Sequence, residues 1–276
     1  DDTSVAIVDK NTPTGAAAQI RFLENVTADS REYRGIHPIL ALESHQENLA
    51  KLVGKALVHL PEAPTDPQGN DNGGRNLSRQ IILADGSNPR QKPDLISATR
   101  GPGMRSNLST GLDTGKALSV AWQIPFVGVH HMQAHLLTPR LVSSLERSKD
   151  ASFMTKPEFP FLSILVSGGH SILVKSASIT EHEVMASSVD IAIGESLDKS
   201  AREILPSSML QDAKNTMYGK ILEQFAFPNE VVKRKSHWGW SLTTPFANTR
   251  HMQFSFSSIA SAVSKLVSLK EKAGQG

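Results

Sequence analysis

The spacing of apolar and polar positions changes several times along the chain, and each change marks an element. Val5-Ala6-Ile7-Val8 is a short apolar run of strand type. A turn through Asn11 to Gly15 follows, then a second strand-like stretch from Ile20 to Val26. Between Ile39 and Leu57 the period lengthens: Ile39, Leu42, Leu49, Leu52, Val53, Ala56 and Leu57 recur at helical spacing. His45 lies inside this helix and reads as a surface or capping residue. Residues 61–79 are polar and rich in Gly, Asn and Pro, which predicts a loop or insertion. Asp94 to Thr99 is a buried strand leading into Gly101-Pro102-Gly103, a turn that lets backbone approach closely. A helix then follows on Leu108, Leu112, Gly115, Leu118 or Ser119, and Trp122. Pro125 ends it, and Phe126-Val127-Gly128-Val129 supplies a buried strand that runs into His130, His131 and His135.

Residues 148–160 are polar and end in Pro157 and Pro160, the strongest domain boundary in the chain. It separates a first domain, 1–150, from a second, 151–276. Phe161 to Val166 is a strand, Ser167-Gly168-Gly169-His170 a tight turn, and Ser171 to Val174 the returning strand. Glu183 to Val189 predicts another strand, and Asp190 to Leu205 ends in a helix with Asp198 and Lys199 near its middle. Thr216 to Phe225 predicts a second helix, with Met217, Ile221, Leu222 and Phe225 inward. Residues 228–252 are irregular, Phe254-Ser255-Phe256 is strand-like, and Ile259 to Leu269 is helical. Strands and helices thus alternate in two successive halves, the pattern of an α/β protein with two related domains and a cleft between them.

Composition narrows the classes. The chain has 276 residues, 39% of them hydrophobic and 20% charged, as in globular proteins. No apolar run approaches the roughly 20 residues of a membrane helix. With no cysteine, disulfides and thiolate metal sites are excluded. A formal charge of +2 gives no strong field for nucleic acid, so such contact would rest on local patches. One candidate patch holds Lys233, Arg234, Lys235, His237, Trp238, Trp240, Arg250 and His251, where basic and aromatic side chains alternate. A solvated loop with two partly buried tryptophans explains the same residues. Asn-X-Ser/Thr matches at Asn25, Asn76 and Asn107 read as chance. Asp1 to Ser4 run directly into a strand that reads as the returning arm of a hairpin, so the chain is expected to be cut at its front.

Two places carry candidate chemistry. His131 and His135 are four residues apart, so on a helix both imidazoles share one face and could grip a metal ion. Ordinary polar surface explains that spacing too, but a position after a buried strand favours a ligand. At Gly168-Gly169 a run of backbone N–H groups could take a phosphate or carboxylate, or the glycines could simply make the turn. A solvated helix face is the plain explanation of Asp198 and Lys199.

Six segments in order then carry a resemblance: Asp1-Asp2-Thr3, Gly101-Pro102-Gly103, His130 to His135, Leu165 to His170, Gly194-Glu195-Ser196-Leu197-Asp198-Lys199, and Phe254-Ser255-Phe256-Ser257. The chain resembles the tRNA N6-adenosine threonylcarbamoyltransferases, once labelled sialoglycoprotein endopeptidases, and most of all their mitochondrial branch. The resemblance implies a two-domain actin/Hsp70-like ATPase fold with the second domain incomplete. It implies that His131 and His135 bind one divalent metal ion, whether iron, zinc or magnesium. Leu165, Val166, Ser167, Gly168, Gly169 and Asp198 would hold threonylcarbamoyl-AMP, with Asp1 and Asp2 catalytic near the metal and the reacting phosphate. The reaction implied is threonylcarbamoyl transfer to N6 of the adenosine next to the anticodon, in tRNAs reading codons that begin with A. A homodimer, no membrane association and a mitochondrial location are expected.

There are departures from the family pattern. Lys214-Asn215-Thr216 stands where the family has Pro-Gly-Gly, with Asn215 a substitute that tolerates left-handed backbone. The family's Gly-Gly-Val-x-x-Asn turn and its Thr-Asp-Asn segment with the third metal ligand are absent, so truncation at both ends is expected. A His-Glu-x-x-His protease is excluded, because Met132 occupies the position of the glutamate. An actin-fold small-molecule kinase or ATPase and a degenerate non-catalytic binding module are the alternatives.

Overall fold

The computed structural model describes residues 2–10, 17–30, 33, 37–63, 79–146, 155–211, 218–228 and 242–274. The chain divides into two compact units, Asp1–Pro157 and Glu158–Gly276, each built of strands and helices.

In the first unit β1 (Asp2–Lys10) and β2 (Ala18–Thr27) form an antiparallel hairpin that starts with Asp2 opposite Thr27. Asp2 thus opens a strand that pairs with the strand following it. The strand-type residues of the two arms account for this pairing. Helix α1 (Pro38–Leu57) has Pro38 in its first turn, where no N–H is needed, and His37 Nδ1 accepts from the Leu40 amide at 3.4 Å. Its buried Ala41, Leu52 and Ala56 face the hairpin side of the unit, where α1 packs on β1 and β2. Strands β3 (Gln80–Ile81) and β4 (Arg90–Gln91) form a small ladder. Beside it, Leu60, Ile81 and Leu83 cluster with Ile7, Leu57 and Trp122.

Parallel strands β5 (Ile96–Gly101) and β6 (Phe126–His130) are joined by α2 (Arg105–Trp122). The glycine in the apolar stripe of α2 has a steric cause. A Cβ on Gly115 would lie 2.8 Å from the Phe126 ring, so only glycine lets the helix sit this close to β6. Helix α3 (His131–Leu145) begins where β6 ends, and its far end holds the last residues of the unit. Arg140 donates to the carbonyls of Thr155 and Pro157, and the Lys156 amide donates to Ser143 Oγ at 3.0 Å.

In the second unit β7 (Phe161–Val166), β8 (Ser171–Ser176) and β9 (His182–Ser188) are successive antiparallel strands. Parallel pairing of β10 (Gln253–Phe254) with β9 completes a mixed sheet in the order β10-β9-β8-β7. Helices α4 (Ile193–Ile204), α5 (Ser207–Gln211), α6 (Tyr218–Ala226) and α7 (Ser257–Gly274) accompany it. Ala201, Leu205 and Tyr218 form their core, with Met209, Leu210, Ile221 and Leu222 packed around. Leu162, Ile164 and Val166 lie exposed on one face of β7. Of the helix expected from Thr216, the part from Tyr218 is described, and Asn215 lies outside the described residues. Lys233 to Trp240 lie outside them as well, while Arg250 and His251 are exposed. Among the described residues no helix is long and apolar enough to cross a membrane.

Candidate functional site

The β6–α3 junction brings the two candidate ligands together. His131 is the first residue of α3 and His135 stands one turn on, so the 3.6-residue period stacks them on one face. Their rings meet edge to face at 86°, with centroids 4.5 Å apart and Nε2 atoms 3.2 Å apart. Such a separation suits a shared proton or a shared ion. Two nitrogens 3.2 Å apart subtend roughly 100° at an ion about 2.1 Å from each, near the tetrahedral angle. The donor set therefore fits a divalent metal as far as it goes. No group of three or more His, Asp or Glu suited to a metal occurs among the described residues, so the pair supplies two ligands and no more.

The start of β1 is in the same unit. Asp1 lies outside the described residues, and Asp2 is exposed at the head of the strand. The next residue, Thr3, is buried and its Oγ1 hydrogen-bonds His45 Nδ1 at 2.8 Å. His45 is thus an interior residue rather than a surface or capping one, because α1 packs the position against β1. Burial pushes its pKa below the ordinary value, and the nearby Asp2 charge opposes that shift.

In the second unit the β7–β8 turn differs from the sequence expectation in one respect. The Gly169 and His170 amides do converge, but on the protein's own oxygen: Ser167 Oγ accepts them at 3.3 and 2.9 Å. A serine hydroxyl two and three residues upstream satisfies such donors locally. Neither glycine has positive φ, and a Cβ on either would meet nothing within 4 Å. Among the described residues nothing therefore requires glycine at 168 or 169. The opposite holds at Gly194 in α4, where a Cβ would lie 2.7 Å from the Ser167 carbonyl and 2.8 Å from Gly168 Cα and N. Helix and turn also cap each other. Ala192 gives α4 no side-chain cap, and the first-turn amides donate instead to Ser171 Oγ (Ile193, 2.9 Å) and the Ser167 carbonyl (Gly194, 3.2 Å).

Further along α4, Asp198 is more than a solvated residue. Its Oδ1 accepts the Gly219 amide at 2.7 Å, in the first turn of α6 where a negative charge is favourable. Gly219 fits because a Cβ there would come within 3.2 Å of that same oxygen. Lys199, by contrast, makes an exposed i,i+4 ion pair with Glu195 at 2.8 Å. Leu165 is half-buried and Val166 exposed, both on β7 beside the turn.

A dense polar cluster centres on Asp190, which the sequence places only at the start of the α4 segment. One carboxylate oxygen accepts the amides of Ile191 (2.7 Å) and Phe256 (3.0 Å) and the Ser188 hydroxyl (3.3 Å). The other accepts the hydroxyls of Ser255 and Ser257, each at 2.6 Å, and the Ser257 amide at 3.3 Å. Partial desolvation opposes ionisation, but these hydrogen bonds outweigh it and hold the carboxyl well below the usual carboxylate range. Four of the six donors lie 65–67 residues away in sequence, where no local pattern could have exposed them.

Comparison with known proteins agrees with these motifs. Residues 80–275 match the family model for tRNA N6-adenosine threonylcarbamoyltransferase. Over 277 aligned residues the chain is 34% identical to the Schizosaccharomyces pombe protein named tRNA N6-adenosine threonylcarbamoyltransferase, mitochondrial. That alignment covers 97% of this chain and 55% of the relative, so the chain spans about half the length of the curated relative it matches. With a family model spanning most of its length and a relative aligned over nearly all of it, the chain belongs to the tRNA N6-adenosine threonylcarbamoyltransferase family.

Proposed function

We propose that the protein transfers the threonylcarbamoyl group from threonylcarbamoyl-AMP to N6 of the adenosine next to the anticodon, in tRNAs that read codons beginning with A. The fold proposed with it is the two-domain actin/Hsp70-like arrangement, and the relative's name supports a mitochondrial location. A homodimer belongs to the same proposal, and sedimentation of the full-length protein reads it directly. One observation carries the substrate reading: Gly168 and Gly169 are glycines that neither backbone conformation nor packing demands. What their missing side chains leave open is access for a group from outside the chain.

Each candidate site residue then has a proposed part. The Gly169 and His170 amides already converge on one oxygen, and a phosphate oxygen of the adenylate takes the place of Ser167 Oγ there. Asp198 gives Oδ1 to α6 and keeps Oδ2 to accept a hydroxyl of the ribose, the hydroxyl-bearing part of the nucleotide. Leu165 and Val166 flank the turn with apolar surface. His131 and His135 would hold a divalent ion through neutral imidazole nitrogens, and such an ion supplies Lewis-acid polarisation of a phosphate or carbamoyl oxygen. In the transfer N6 bonds to the carbamoyl carbon, the bond from that carbon to phosphate oxygen breaks, AMP departs, and N6 loses a proton. Asp1 and Asp2 are proposed as the carboxylates that receive it, Asp2 being exposed and so open to solvent.

The test is direct. Full-length protein incubated with threonylcarbamoyl-adenylate and unmodified tRNA should yield the modified adenosine by mass spectrometry. ATP turnover without tRNA, and no modified nucleoside, would instead support a small-molecule kinase or ATPase.

A further inference from the structure

We propose that Asp190 is a positioning residue for the adenylate: it anchors the start of α7 to the start of α4, and so holds α4 against the Ser167–Gly169 turn. This rests on the reading that the turn receives the adenylate phosphate. Six hydrogen bonds occupy both carboxylate oxygens, so Asp190 has no acceptor capacity left for substrate and acts through other groups. Four of the six come from residues 255–257, where β10 passes into α7. A second tie to the same point is the buried Ser196 of α4, whose hydroxyl donates to the Phe256 carbonyl at 2.9 Å. A third is the Val189 amide, which donates to the Phe254 carbonyl at 2.9 Å. The first turn of α4 is thereby fixed from one side by the 254–257 segment. On its other side Gly194 meets the Ser167–Gly168 backbone without any gap a side chain could fill, and donates to the Ser167 carbonyl. A shift of α4 carries the turn with it, because the contact is backbone on backbone and neither partner has a flexible end to yield.

The experiment measures transfer kinetics of full-length protein with threonylcarbamoyl-adenylate as the varied substrate. Asp190→Asn replaces one carboxylate oxygen with an NH2 group that faces donors. Its expected effect is a KM for the adenylate raised about tenfold or more, with kcat within about twofold and metal content unchanged. Ser257→Ala keeps the carboxylate and all three amides but removes one hydroxyl donor, and should raise the same KM by a smaller factor. It also decides the matter should Asp190→Asn fail to fold. A merely structural role lowers the folded fraction, which reduces kcat per total protein and leaves KM alone. Unchanged KM in Ser257→Ala, and in Asp190→Asn where that variant folds, overturns the proposal. Gly168→Val, assayed in parallel, separates the two ideas. If it raises KM while the Asp190 and Ser257 variants do not, only the positioning role fails; if it leaves KM unchanged, the adenylate reading fails with it.

Discussion

The histidine pair and the glycine turn solve the same problem in opposite ways. At the pair, one helical turn sets the spacing: residues four apart on α3 bring two nitrogens to 3.2 Å. At the turn, the two glycines are freed by absence, and the shape comes from elsewhere, from α4 pressing through Gly194 and from Ser171 and Ser167 taking its first amides. The pair is a local device and should tolerate change outside α3. The turn is a non-local one, and residues that never touch ligand should control it.

The largest expected effect breaks the local device. His131→Ala or His135→Ala removes one of two convergent nitrogens. Metal affinity should fall by more than the roughly hundredfold typical of losing a supporting contact to a metal ligand. Elemental analysis checks this, and stoichiometric metal in the double variant would contradict the pairing. Next comes Gly194→Ala, which sharpens the contrast. Alanine is the better helix former by up to about 1 kcal/mol. Against that, its Cβ would meet backbone atoms at 2.7–2.8 Å, and overpacking costs about 1–3 kcal/mol. Since backbone cannot swing aside as a side chain does, we expect a lower Tm and weaker adenylate binding, with metal content intact.

The smallest effect concerns His45, beneath the head of β1. Its folded pKa lies below its ordinary 6.5, so its contribution to stability is complete above that pH and is lost as pH falls through the folded value. Thermal melts between pH 7.5 and 5.5 should show a steeper loss for the wild type than for His45→Asn, which keeps a polar partner for Thr3. Equal slopes would mean that His45 is not desolvated.

The same division between local and distant determinants explains what could be read in advance. Helix α1, the β5–α2–β6 run and the β7–β8 hairpin follow from period and turn residues, and so does the His131/His135 face. Burial of His45 did not follow, since a lone polar residue on an otherwise ordinary helix gives no sign of which strand will cover it. Nor did the role of Asp198, whose partner Gly219 belongs to another helix, or that of Asp190, whose donors arrive from residues 255–257. The Ser167 hydroxyl was legible in principle: a serine two and three residues before two amides is a known local acceptor.

The central claim is that the Ser167–Gly169 turn is open for a ligand, and calorimetry on Gly168→Val tests it most directly. Among the described residues a Cβ at 168 meets nothing within 4 Å, so the valine side chain should leave Tm unaltered and obstruct chiefly what binds from outside. Titration with threonylcarbamoyl-adenylate should show affinity reduced by about tenfold or more, roughly 1.4 kcal/mol, with metal content and melting temperature unchanged. Wild-type affinity in that variant would contradict the account.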